Sequence, residues 1–130
     1  YFFDTGLVAY LTRYSTPEIL RNGAINGAIL ENYVVAEILK SYQNDAQIAC
    51  FGTIGTREEY IDWIDMVIGS DGQLYPLEIK RSVNPGSELA GAFSILDKGS
   101  VPCGTGAVLC MRPELSAINA KNYIVPIWMI

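Results

Sequence analysis

No histidine occurs anywhere in the 130 residues, and the three cysteines, Cys50, Cys103 and Cys110, contain no C-x-x-C pair. These absences argue against a zinc site and against Ser-His-Asp or Cys-His catalysis, which need imidazole or clustered thiolates. Cys50 and Cys110 stand in apolar runs and read as reduced core residues, in keeping with a cytoplasmic setting. No apolar run approaches the roughly 18 residues needed to cross a bilayer, and the first residues lack the basic start of a secretory signal. A soluble protein with no membrane partner is therefore expected. The phosphate loop G-x-x-x-x-G-K-S/T is missing too: Gly99 to Gly106 is glycine-rich but has no lysine, and reads as a plain loop.

Charge is sparse. Charged residues make up 18% of the chain against 50% hydrophobic, the balance of a globular protein, and the net charge is −5. Proteins that grip a phosphate backbone usually show a basic face, so tight nucleic-acid binding by this segment alone is not expected. The acids are unevenly spread, however. Residues 1–78 hold eleven acids and four bases, whereas residues 79–130 hold three acids and five bases: Lys80, Arg81, Lys98, Arg112 and Lys121. These five either gather near one site or scatter over the surface, and composition does not decide which.

The length suits one domain, residues 1–130, with a single core. The order of patterns predicts a helix near Thr5–Leu11, a short helix after Ser15-Thr16-Pro17-Glu18, and a long helix over 27–42 with Asn26 as N-cap. A strand is expected around Ala46–Gly52, a hairpin over roughly 60–68 and 73–80, a helix near 87–97, and strands at about 106–111 and 123–129. This is an α/β or α+β chain with a mixed sheet of about five strands flanked by helices. Asp4-Thr5-Gly6 matches the triplet of aspartic proteases, but Leu7, Val8, Tyr10 and Leu11 follow at helical spacing, so Asp4 reads as an N-cap.

Asp71-Gly72 is the sharpest local signal. Asp-Gly between two apolar runs is a two-residue hairpin loop, because glycine takes the positive φ the turn needs without steric cost. With that loop Ser70 faces Gln73, paired positions sum to 143, and Asp65 faces Glu78. Directly opposed side chains have Cβ atoms roughly 4.5–5.5 Å apart, and like charges so placed need compensation, which a divalent cation supplies. Lys80, two positions after Glu78, projects from the same face, with Trp63 opposite it. An ordinary alternative is a solvated hairpin on which Lys80 makes a weak surface ion pair worth at most about 1 kcal/mol. Against it, Ile64, Met66, Leu74, Leu77 and Ile79 make both strands apolar on either face, so the charges would be buried and would need partners. Glu31 raises a similar question on the long helix. Its neighbours at helical spacing are Ala28, Val34, Val35 and Ile38, so it either makes a hidden hydrogen bond or belongs to a site, whereas Glu37, beside Lys40 and Ser41, reads as exposed.

A helix carrying Glu31, a strand carrying Asp65 and a strand reading Glu78-Ile79-Lys80 resemble the core of the PD-(D/E)xK nuclease superfamily. Several stretches are similar to the uncharacterised C-terminal domain of a family of prokaryotic AAA-type ATPases. They are Tyr1-Phe2-Phe3-Asp4-Thr5-Gly6-Leu7, Gly27-Ala28-Ile29-Leu30-Glu31-Asn32-Tyr33-Val34, Ile64-Asp65-Met66-Val67-Ile68, and Leu74-Tyr75-Pro76-Leu77-Glu78-Ile79-Lys80 followed by Asn84-Pro85. One position departs: Trp63 stands where that branch usually has an acid, and Asp62 would face the other side of the strand. The resemblance implies a restriction-endonuclease-like core in which Asp65 and Glu78 ligate magnesium or manganese. Lys80 would act on the attacking water and the phosphate, and Glu31 would bind a second ion or support the first. It also implies an attached ATPase domain that alone would bind ATP. A start at Tyr1 within an amphipathic segment, without methionine, fits that expectation, and the exposed remainder of such a helix would favour homo-oligomers. Two functions follow as expectations: metal-dependent phosphodiester hydrolysis on DNA or RNA, or a catalytically inactive docking or regulatory module.

Overall fold

The computed structural model describes residues 1–42, the backbone of 47–50, and 64–130. The chain forms two compact units, Tyr1–Gln43 together with Ile130, and Asn44–Met129.

The first unit is helical. Asp4 caps α1 (Thr5–Leu11) by accepting the Leu7 N–H at 2.8 Å, which fixes the Asp-Thr-Gly triplet at a helix start. Thr16 caps α2 (Pro17–Asn22), where Pro17 occupies the first turn that has no use for its missing N–H. The long helix α3 spans Asn26–Ser41. Asn26 does not cap it: Ile25 holds that position without a side-chain bond, and the Asn26 amide donates instead to the Arg21 carbonyl at 2.8 Å, tying α3 to the end of α2. The buried Asn32 binds α3 to the start of the chain, accepting the Phe2 N–H at 2.7 Å and donating to the Phe2 carbonyl at 2.9 Å.

Among the described residues the second unit has a mixed sheet of six strands in the order β1-β2-β3-β4-β6-β5. β1 (Gln47–Cys50), β2 (Met66–Ser70) and β3 (Gln73–Lys80) are antiparallel, and β4 (Gly106–Cys110) and β6 (Asn122–Pro126) run parallel to β3. The sixth strand, β5 (Ser116–Ala117), is a two-residue piece paired antiparallel to β6, too short to leave a periodic pattern. The turn is the expected one: Asp71 and Gly72 have φ of 51° and 71°, and the ladder runs from Ser70↔Gln73 to Met66↔Leu77. Met66, Val67 and Ile68 are buried in succession, so β2 is covered on both faces.

Three expected elements differ. Residues 87–97 form a 3-10 helix, Ser87–Lys98, in which the Ser94 hydroxyl donates to the Gly91 carbonyl at 2.8 Å and competes for α-helical bonding. The last strand ends at Pro126, which has no N–H to continue a ladder, and Ile127–Met129 turn into a 3-10 helix. Of the hairpin strand expected over 60–68, Ile64 and Asp65 lie before β2, which runs on to Ser70. Residues 60–63, with Asp62 and Trp63, lie outside the described residues, as do the ends of the strand expected over 46–52 and the Cys50 side chain. The core of this unit lies between the 3-10 helix and the sheet, where Ala90, Ala92 and Phe93 pack with Ile64, Val67 and Val108. Gly106 is fitted to that packing, since a Cβ there would lie 2.5 Å from the Phe93 ring and from Asn122 Oδ1.

Candidate metal centre

β2 stops one residue short of Asp65, and the Asp65 carboxylate takes over where the ladder ends. Its Oδ2 accepts the part-buried Ile79 N–H at 2.7 Å, standing in for the carbonyl that a longer β2 would offer. This fixes Asp65 beside Glu78, the next residue down β3. Glu78 is 2% exposed, among the most deeply buried side chains of the chain. Lys80 lies on the same face two residues on, with its side chain 41% exposed, and its ammonium reaches down to make an ion pair with Glu78 Oε1.

The other oxygen, Glu78 Oε2, is buried without a hydrogen-bond partner. Burial pushes the Glu78 carboxyl above its usual range. The Lys80 hydrogen bond works against this, the Asp65 charge raises the pKa further, and the Lys80 charge and the Asp65 backbone N–H pull it down less strongly. An orphaned carboxylate oxygen costs about 1–3 kcal/mol, and an acid so placed beside a second acid is a candidate functional site. Hard divalent cations take oxygen ligands, commonly one or two carboxylates completed by water and substrate phosphate. The pair fits that demand, since Oε2 has an unused lone pair and Asp65 lies alongside. Among the described residues no group of three or more Asp, Glu or Cys side chains is arranged to hold a metal, so Asp65 and Glu78 would supply two ligands and leave the rest of the shell open.

Glu31 is in the other unit. It is half-buried on α3, and its Oε1 accepts a hydrogen bond from the hydroxyl of the exposed Tyr1, a bond at the surface and not the hidden one that the sequence offered as an alternative to a site. Glu37, read from sequence as exposed, is half-buried and pairs with Lys40 at 2.7 Å.

The sheet also sorts the basic residues, which counting could not do. Lys80 pairs with Cys110 across β3 and β4, bringing Lys80 and Arg81 to the strand end that leads into Arg112. Lys121 lies beside β6's first residue, at the opposite end, and pairs with Asp97 at 3.1 Å. Asp97 and Lys121 line a cleft of about 350 Å³ with Ser94, Cys103 and Asn122; Asp65, Glu78 and Lys80 do not line it.

The family model for a domain of unknown function, DUF4143, matches residues 26–130. No curated protein and no solved structure matches the chain.

Proposed function

The chain belongs to the DUF4143 family, whose function is unknown, and from that premise we propose that Asp65, Glu78 and Lys80 form the divalent-cation site of a phosphodiester-hydrolysing, nuclease-like domain. The observation that carries this reading is the buried Glu78 carboxylate, with one oxygen unpartnered, an adjacent acid and a neighbouring ammonium. The likeness of these residues to the PD-(D/E)xK pattern supports it.

Asp65 and Glu78 would hold magnesium or manganese through hard oxygens, Asp65 being oriented by its bond from Ile79. The bound ion would supply Lewis acidity toward water and the phosphate oxygens. Lys80, its side chain 41% exposed and its ammonium paired with Glu78, would orient the attacking water or hold a phosphate oxygen. The resemblance further implies an attached ATPase domain that controls the site.

A second reading, a docking or regulatory module without cleavage, draws on the same burial. Glu78 is 2% exposed and already paired with Lys80, an arrangement that can persist as structure. Calorimetric titration of Mg2+ and Mn2+ into the chain, Asp65→Ala and Glu78→Gln separates the two, followed by cleavage assays on single-stranded and duplex DNA and RNA. The hydrolytic reading expects binding by the unmodified chain, loss of at least about tenfold in affinity in either variant, and metal-dependent cleavage abolished in Lys80→Ala with metal binding retained. Absence of binding by the unmodified chain sinks the cation site and leaves the docking module.

A further inference from the structure

Beyond the last paired residues of β3 and β4, the chain brings two arginines to adjoining backbone segments. Lys80 and Cys110 are Cα partners in the parallel ladder, and the Met111 N–H donates to the Ser82 carbonyl at 3.1 Å, so residues 80–82 and 110–112 stay side by side. Neighbouring strands lie about 4.8 Å apart. Arg81 is exposed and Arg112 is half-buried, and Arg112 forms no ion pair among the described residues. Over 80–84 and 110–114 stand Lys80, which pairs with Glu78, the two arginines Arg81 and Arg112, and one carboxylate, Glu114.

We propose that Arg81 and Arg112 form a ledge that binds the phosphate backbone of a nucleic-acid strand next to the Asp65–Glu78–Lys80 cluster, an inference that rests on the phosphodiester reading above. Three features converge on it. Lys80, Cys110 and Pro126 form one row across the three parallel strands, so the ledge lies at their carboxyl ends, the side on which open α/β sheets take ligands. Guanidinium groups bind phosphate oxygens through paired N–H donors, so two of them at fixed spacing suit a repeating diester better than a lone anion. Val83 and Met111, 53% and 40% exposed, give the same ledge apolar surface for sugars and bases. Lys121 does not share this task, because it is tied to Asp97 at the opposite end of the strands, and Lys98 stands on the 3-10 helix next to that same Asp97.

The test measures binding of fluorescein-labelled single-stranded DNA and RNA across a salt series, by the unmodified chain, Arg81→Ala/Arg112→Ala, and Lys98→Ala/Lys121→Ala, with Mn2+ affinity measured in parallel. Removing two phosphate contacts should lower affinity about tenfold at moderate salt and flatten the slope of log K against log[salt] by about 1.4. Lys98→Ala/Lys121→Ala should leave both unchanged, and Mn2+ affinity should be the same in all three proteins. Arg81→Ala alone, at an exposed position, should give about half the change in slope, which guards against misfolding of the double variant. Equal losses in the two double variants, an unchanged slope in the arginine variant, no nucleic-acid binding by the unmodified chain, or equally tight binding of polyglutamate would each overturn the ledge. Loss of Mn2+ binding in the unmodified chain would overturn the cation site instead, with the ledge judged on its salt slope.

Discussion

A carboxylate that is 2% exposed ionises against a desolvation penalty, which for Glu78 the Lys80 ammonium offsets in part and the nearby Asp65 charge increases. Its folded pKa stands above the ordinary 4.5. The folded chain therefore keeps a proton that the unfolded chain has released. The stabilisation is complete below about pH 4.5 and is lost as pH rises through the folded value. Glu78→Gln removes this titration, so the stability of the variant relative to the unmodified chain should grow as pH rises from about 4.5 toward neutrality; urea midpoints across that range check it, and a constant difference refutes it. Saturating Mg2+ should reverse the order, stabilising the unmodified chain by about 2.7 kcal/mol at a hundred times Kd and leaving Glu78→Gln unmoved. Asp65 has a second task that its charge does not reveal. Asp65→Ala strands the part-buried Ile79 N–H and should cost about 1–3 kcal/mol, whereas Asp65→Asn keeps an acceptor and should cost less. Thermal melts without metal separate these two variants.

At the scale of the elements, the β2–β3 hairpin brings Asp65, Glu78 and Lys80 together, because its two-residue loop fixes which residues face one another. Asp71 and Gly72 both take positive φ, a backbone that suits glycine and that aspartate tolerates. Gly72→Ala should cost about 1–2 kcal/mol by urea denaturation, and Asp71→Asn should be close to neutral; equal stability of Gly72→Ala would mean that the turn has another conformation open to it. The register was legible from sequence because such a loop allows one pairing. The 3-10 winding of Ser87–Lys98 was not, since the amphipathic spacing of Leu89, Phe93 and Leu96 serves either helix and a serine hydroxyl on the Gly91 carbonyl shifts the balance. Nor was the fit at Gly106, where Phe93 and Asn122 close in from distant parts of the chain. Gly106→Ala should cost about 1–3 kcal/mol through overpacking, measured by thermal denaturation.

Over the whole molecule, charge is the property with the longest reach. A sequence pI near 4.6 leaves the chain close to neutral at mildly acidic pH. Light scattering against pH should show a solubility minimum near that value, because vanishing net charge removes the repulsion between copies. No helix among the described residues is long and apolar enough to cross a membrane. The two compact units divide the candidate acids: Glu31 belongs to Tyr1–Gln43, and Asp65, Glu78 and Lys80 belong to Asn44–Met129. Sequence alone determined the α+β class, the three helices, the hairpin register, and through that register the meeting of Asp65, Glu78 and Lys80, because these depend on spacing within about 16 residues and on the sterics of one turn. The tertiary structure alone decided that β4 and β6 run parallel to β3, that Arg81 and Arg112 come together while Lys121 goes to the far end, and that Glu78 Oε2 lacks a partner. Those outcomes depend on contacts between segments far apart in sequence, where many pairings satisfy the local pattern and only packing chooses among them.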